Sequence, residues 1–101
     1  MSVWQGADLK FLVEITAEGF DITRDDYTIV LKRGAKEVVV DRSAIVESDG
    51  EYFLCLEKEI LAELGTGDIY VVTYAEVPDS DFSDSFRTEV DKQLLCTINR
   101  V

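Results

Sequence analysis

The densest grouping of chemically capable side chains is Glu76-Val77-Pro78-Asp79-Ser80-Asp81-Phe82-Ser83-Asp84, a run with four acids and no base. Carboxylates spaced as Asp79, Asp81 and Asp84 are can converge on a hard cation through their oxygens, so these are the residues a calcium site would use. The EF-hand template is not met. Counted from Asp79, the sixth position holds Asp84 where the loop needs glycine, and the twelfth holds Val90 where it needs glutamate. The run therefore reads first as a solvated acidic loop, with a calcium site at Asp79, Asp81 and Asp84 as its alternative chemistry. Phe82 and Phe86 sit in the same loop among aspartates and serines. Two readings stay open for them: rings folded back to pin a long loop onto the core, or an apolar anchor ringed by charge, as interfaces use. Trp4, the only tryptophan, either caps the end of the domain or belongs to an N-terminal arm, residues 1–7, that packs on a neighbouring subunit.

The chain has no histidine, which removes Ser-His-Asp and Cys-His nucleophile systems and every zinc site that needs an imidazole. With 21 Asp and Glu, accidental pairs of carboxylates are many, so no pair points to a glycosidase without geometry. No acid, base and orienting group assemble in sequence, and the expectation is a chain with no catalytic residues and no cofactor. Cys55 and Cys96 lie inside apolar runs and match neither a metal-binding pair nor a C-x-x-C motif. They read as two buried thiols, although a bridge between them is topologically reasonable.

The balance of 21 acids against 10 bases gives a formal charge of −11. Such a chain repels nucleic acid and an anionic membrane, since its bases are scattered or confined to the pair Lys32-Arg33. It favours solubility and basic partners or cations. The N-terminus has no basic n-region before an apolar run, and no stretch approaches the ~18 consecutive apolar residues of a membrane span. A cytoplasmic chain is expected.

These residues need elements to position them, and alternation with period two dominates the pattern. Leu9 to Thr16 reads as a strand with Leu9, Phe11, Val13 and Ile15 inward. Tyr27 to Lys32 reads as a second, followed by a turn at Arg33-Gly34-Ala35-Lys36. Val38 to Val40 is a short strand that Ser43 to Glu47 continues after a break near Asp41-Arg42. Asp49-Gly50 between apolar runs predicts a hairpin, with Tyr52, Leu54 and Leu56 inward on the returning strand. Lys58 to Leu64 is helix-like and stopped by Gly65, too short to stand alone and placed as a crossover between sheets. Asp68 to Val77 is apolar on both faces and therefore central, and Phe86 to Val101 closes the chain with one or two strands carrying Leu94, Cys96 and Ile98 inward. With 101 residues, 47% of them hydrophobic, the chain is expected to form one domain, 1–101, an all-β sandwich or small barrel.

Three stretches, Glu18-Gly19-Phe20-Asp21-Ile22-Thr23, Asp49-Gly50-Glu51-Tyr52 and Leu64-Gly65-Thr66-Gly67-Asp68-Ile69-Tyr70, carry a resemblance over roughly residues 6 to 98. The layout is similar to the immunoglobulin-like modules of phage and prophage tail and baseplate proteins, such as the N-terminal domain of baseplate upper proteins. It is similar also to short uncharacterised relatives from anaerobic gut bacteria. The resemblance implies an immunoglobulin-like antiparallel β-sandwich of about seven strands with one short helical crossover near 58–64. It also implies a structural adaptor that assembles with other protein subunits or as a homo-oligomer, in the cytoplasm before assembly and in a tail particle after it. The third stretch is similar to a tyrosine corner, with Tyr70 as the tyrosine. The other expectation carried forward is a ligand-binding module, for carbohydrate with calcium, using Asp79, Asp81 and Asp84.

Overall fold

Segments in which Val, Ile, Leu and aromatic residues alternate with polar ones extend into strands, because successive side chains then reach opposite faces of a sheet. A computed structural model describes residues 1–101, and the elements follow in order as strands β1 (Ser2–Trp4), β2 (Leu9–Leu12), β3 (Tyr27–Arg33), β4 (Lys36–Val39), β5 (Ile45–Ser48) and β6 (Glu51–Leu56), helix α1 (Lys58–Leu64), then β7 (Gly67–Pro78) and β8 (Phe86–Asn99). The strands make two sheets, one of five in the order β1-β8-β7-β3-β4 and one of three in the order β2-β6-β5. All neighbours are antiparallel except β1, which runs parallel to β8 with Val3 opposite Ile98.

The core lies between the sheets. Tyr27, Ile29, Leu31, Ile69, Cys96 and Ile98 come from the larger sheet, and Leu54 and Leu56 from the smaller. Leu61 and Leu64 of α1 close one end. The helix is the crossover from β6 to β7, as its position in the sequence predicts. It ends where Gly65, at φ 83°, donates its N–H to the Leu61 carbonyl. The β5–β6 hairpin turns through Asp49 and Gly50 with φ of 52° and 81°, the pair of positive values that matches strand twist in a two-residue turn. Both cysteines are free thiols: Cys96 is in the core, where burial pushes its pKa up, and Cys55 is half-buried on the far face of β6.

Several sequence expectations are corrected. The first strand stops at Leu12 rather than Thr16; Val13 makes one further bond to the Tyr52 carbonyl, and then β6 runs out, since it begins at Glu51. Ser43 to Glu47 does not continue the Val38–Val40 strand. A 3-10 turn at Arg42–Ala44, capped by Asp41 through the Ser43 N–H, carries the chain to the other sheet, so β4 and β5 belong to different layers. Leu94 does not face inward: Ile69 is opposite Cys96 but Tyr70 is opposite Leu94, leaving Leu95 as the extra residue of a β-bulge. The bulge reverses the alternation, buries Cys96 and Ile98, and leaves Leu94 52% exposed. Tyr70 does not form a tyrosine corner. It lies on the outer face of the larger sheet with the Lys92 ammonium 4.9 Å above its ring.

The molecule measures 50 × 33 × 20 Å, two sheet layers thick. Its radius of gyration of 14.7 Å exceeds the ~13 Å of a compact chain of this length. The elongation follows from β7 and β8, whose hairpin runs past the last β3 partner at Ala75 to its tip beyond Pro78 and Phe86. No helix is long and apolar enough to cross a membrane.

Candidate functional site

Asp, Ser and Gly compete for backbone hydrogen bonds and therefore favour turns. Residues 79–85, at the tip of the β7–β8 hairpin, show this in full. Asp79 N–H donates to the Ser85 carbonyl at 2.9 Å, Phe82 N–H to the Asp79 carbonyl at 3.3 Å, and Ser85 N–H to the Phe82 carbonyl at 2.9 Å. The Asp79 side chain accepts from the Asp81 N–H at 3.0 Å and the Asp84 side chain from the Phe86 N–H at 3.1 Å. The tip is thus a hydrogen-bonded frame.

Arg87 anchors this frame. Its guanidinium donates to Asp79 Oδ2 at 2.9 Å, to Glu89 Oε1 at 3.3 Å and to the Glu18 carbonyl at 2.8 Å. One side chain therefore ties the tip to β8 and to the segment before β3. Sequence reasoning passed over Arg87, although a single base directly after four acids is a legible signal for an internal ion pair.

Phe82 is 51% and Phe86 42% exposed, and neither belongs to the core. Phe86 borders a shallow hollow with Pro78, Glu76, Arg24, Asp25 and Asp26. Both rings are thus about half exposed on a hydrogen-bonded loop. Asp79, Asp81 and Asp84 share the loop, but no group of three or more carboxylates or thiolates is arranged to hold a metal, and both Asp79 oxygens are engaged by Asp81 and Arg87. Trp4 lies at the opposite end, in β1. Its ring is 65% exposed on the rim of an apolar cleft of about 270 Å³ shared with Val3, Leu61, Ala62 and Ile98. The structure does not bring Trp4 near Phe82 and Phe86.

The Asp81 N–H, and after it the Arg87 guanidinium, hold the Asp79 carboxyl below its ordinary value. A carboxyl depressed in the folded state contributes stability above its unfolded value, near ~3.9, and loses it as the pH falls through the folded value. Asp21, Asp25 and Asp41 are lowered too, mainly by Thr23, Arg24 and Ser43 respectively, so acid weakens more than the tip. Asp79→Asn isolates the tip: the amides of residues 79–85 are expected to lose protection, taken relative to intrinsic exchange at the same pH, at pH 7 in the variant, and in the wild type only below about pH 4. Unaltered exchange of these amides in the variant contradicts the anchoring role of Asp79.

Comparison with protein-family models, with curated proteins and with solved structures finds no match to the chain.

Proposed function

We propose that the chain is a non-catalytic module of immunoglobulin-like fold that holds other proteins, serving as a structural adaptor in a phage or prophage tail or baseplate. The strand order supports the fold. In immunoglobulin-like sandwiches one sheet carries the second, fifth and fourth strands, B-E-D, and β2-β6-β5 has that order. The other sheet carries C, F and G, and in variable-type domains C′ lies beside C; β8-β7-β3-β4 has that order, with β1 added beside the last strand. The assignment to tail or baseplate proteins rests on the resemblance in the turns.

In this architecture the B–C and F–G loops gather at one end, where variable domains bind. Here they are the segments 13–26 and 79–85, joined by Arg87 through Glu18 and Asp79. The observation that carries the reading is Phe82, half exposed at the crest of a frame whose backbone bonds are already made. Such an aromatic loses little entropy on contact and is ringed by charge, as interface anchors are.

A random-peptide display library panned on the wild-type chain is expected to enrich sequences that bind Phe82→Ser at least ~10-fold more weakly. The melting temperature should not change, because the exposed ring contributes little to the core. Enriched peptides indifferent to Phe82→Ser contradict the proposal.

A further inference from the structure

β8 is covered along its outer side over only three residues. β1 pairs with Thr97, Ile98 and Asn99, whereas the stretch from Arg87 to Leu94 has β7 on one side and no strand on the other. None of the hydrogen bonds outside the ladders reaches the backbone of these eight residues. Every second residue of such an edge points an N–H and a C=O outward, giving about four donors and four acceptors over roughly 27 Å. Backbone groups in this arrangement are a template for another strand. The edge strands β2, β4 and β5 have only four residues each, so no other edge offers as much.

The side chains flanking the edge indicate what would fit. On the outer face Val90 is 60% and Leu94 52% exposed. On the inner face Glu89 and Asp91 join Glu14 and Glu18 around a groove of about 470 Å³ between β8 and the 13–18 segment. A second copy of the chain is a poor occupant. Antiparallel pairing of two β8 edges about a two-fold at Val90 sets Glu89 of each copy opposite Asp91 of the other, and joins two chains of charge −11. Like charges directly opposite one another weaken a strand pair.

We propose that the open β8 edge from Arg87 to Leu94 accepts an extended segment of another protein as a sixth strand of the larger sheet. The segment carries lysine or arginine at alternate positions, facing Glu14, Glu18, Glu89 and Asp91, and apolar residues between them, beside Val90 and Leu94. The proposal shares with the functional reading only that the ligand is a protein; the contact is separate from the tip.

The test titrates the isotope-labelled chain with a ten-residue peptide alternating lysine with valine and threonine, read by amide exchange and shift changes in NMR. The expected result is protection of alternate amides between residues 87 and 94. Binding should fall at least ~10-fold for Glu89→Lys/Asp91→Lys and for a peptide N-methylated on its pairing edge, and should be unchanged for Phe82→Ser. Asp91 is exposed, whereas Glu89 is half-buried and pairs with Arg87. Asp91→Lys alone is therefore the second variant and should weaken binding in the same direction, and melting curves on both variants confirm that they fold. Equal binding of the N-methylated peptide shows charge attraction without strand addition and overturns the proposal. So does equal binding by the charge-reversed variant, absence of binding, or protection of these amides in the free chain by self-association. Loss of the Phe82-dependent contact with retention of this one would sink the functional reading alone.

Discussion

Leu64→Ala is expected to remove about 2–5 kcal/mol of folding stability, measured by urea denaturation. Domains of this kind hold only about 5–15 kcal/mol in total, so the variant should melt far below the wild type. Leu64 is fully buried at the end of α1, within a core that draws residues from both sheets. A helix of seven residues has little stability of its own, because nucleation outweighs the few bonds it gains. Leu61 and Leu64 are what fasten it, and it is the crossover that joins the layers. Glu63→Ala, on the exposed side of the same turn, is the control and should stay within about 0.5 kcal/mol. A Leu64→Ala variant as stable as that control contradicts the placement of α1 against the core.

Phe20→Ala has the next largest expected effect, about 3 kcal/mol. Between β2 and β3 the chain has no strand or helix, and a segment of that length stays ordered only where side chains dock it. Part of the order is local: Asp21 N–H donates to Asp25 Oδ2 at 2.8 Å, and Arg24 forks onto the same carboxylate, which is buried. That turn closes on itself and does not attach to the body. Polar bonds hold the segment at Glu18, through Arg87, and at Asp26, through Arg42 and the Glu76 N–H. Its apolar attachment comes from Phe20, whose ring meets Tyr27 edge-on with centroids 6.1 Å apart, helped by Ile15 and Ile22 against the core. Removing the ring should therefore raise amide exchange across residues 13–26 more than elsewhere. It should also displace Glu14 and Glu18 from the groove and weaken the lysine-bearing strand peptide, while Phe82-dependent binding persists. Wild-type stability and exchange in Phe20→Ala would show that the segment is held by something else.

The sequence made the strands legible where alternation and turn chemistry agreed. The Asp49-Gly50 hairpin, the helix at 58–64 and the central position of β7 could each be read from a local signal, because each is set by local backbone preference or by apolarity on both faces. What eluded the reading is non-local. The bulge at Leu95 depends on which residues β7 offers opposite it, and nothing in Gln93-Leu94-Leu95-Cys96 marks the extra residue. The end of β2 at Leu12 depends on the length of its partner. The passage of the chain to the other sheet at Arg42–Ala44 was visible as a break but not as a change of layer.

The same division holds for the candidate site. The acidic tip and its phenylalanines stand together in sequence, and the structure leaves both rings about half exposed. Arg87 was missed because its three acceptors lie at Asp79, Glu89 and Glu18, and only the first two are near it in sequence. The open edge was invisible for a different reason. An edge is defined by the absence of a neighbour, and β8 is bordered by β1 only where residues from opposite ends of the chain meet.

Amide hydrogen exchange along β8 tests that asymmetry most directly. In the free chain the amides of residues 87 to 94 are expected to alternate, slow where the N–H meets β7 and fast where it faces solvent. Thr97 and Ile98, flanked by β1 and β7, should both be slow. Uniform protection from Arg87 through Leu94 at concentrations where the chain is monomeric would mean that the edge is already filled, and would contradict the account.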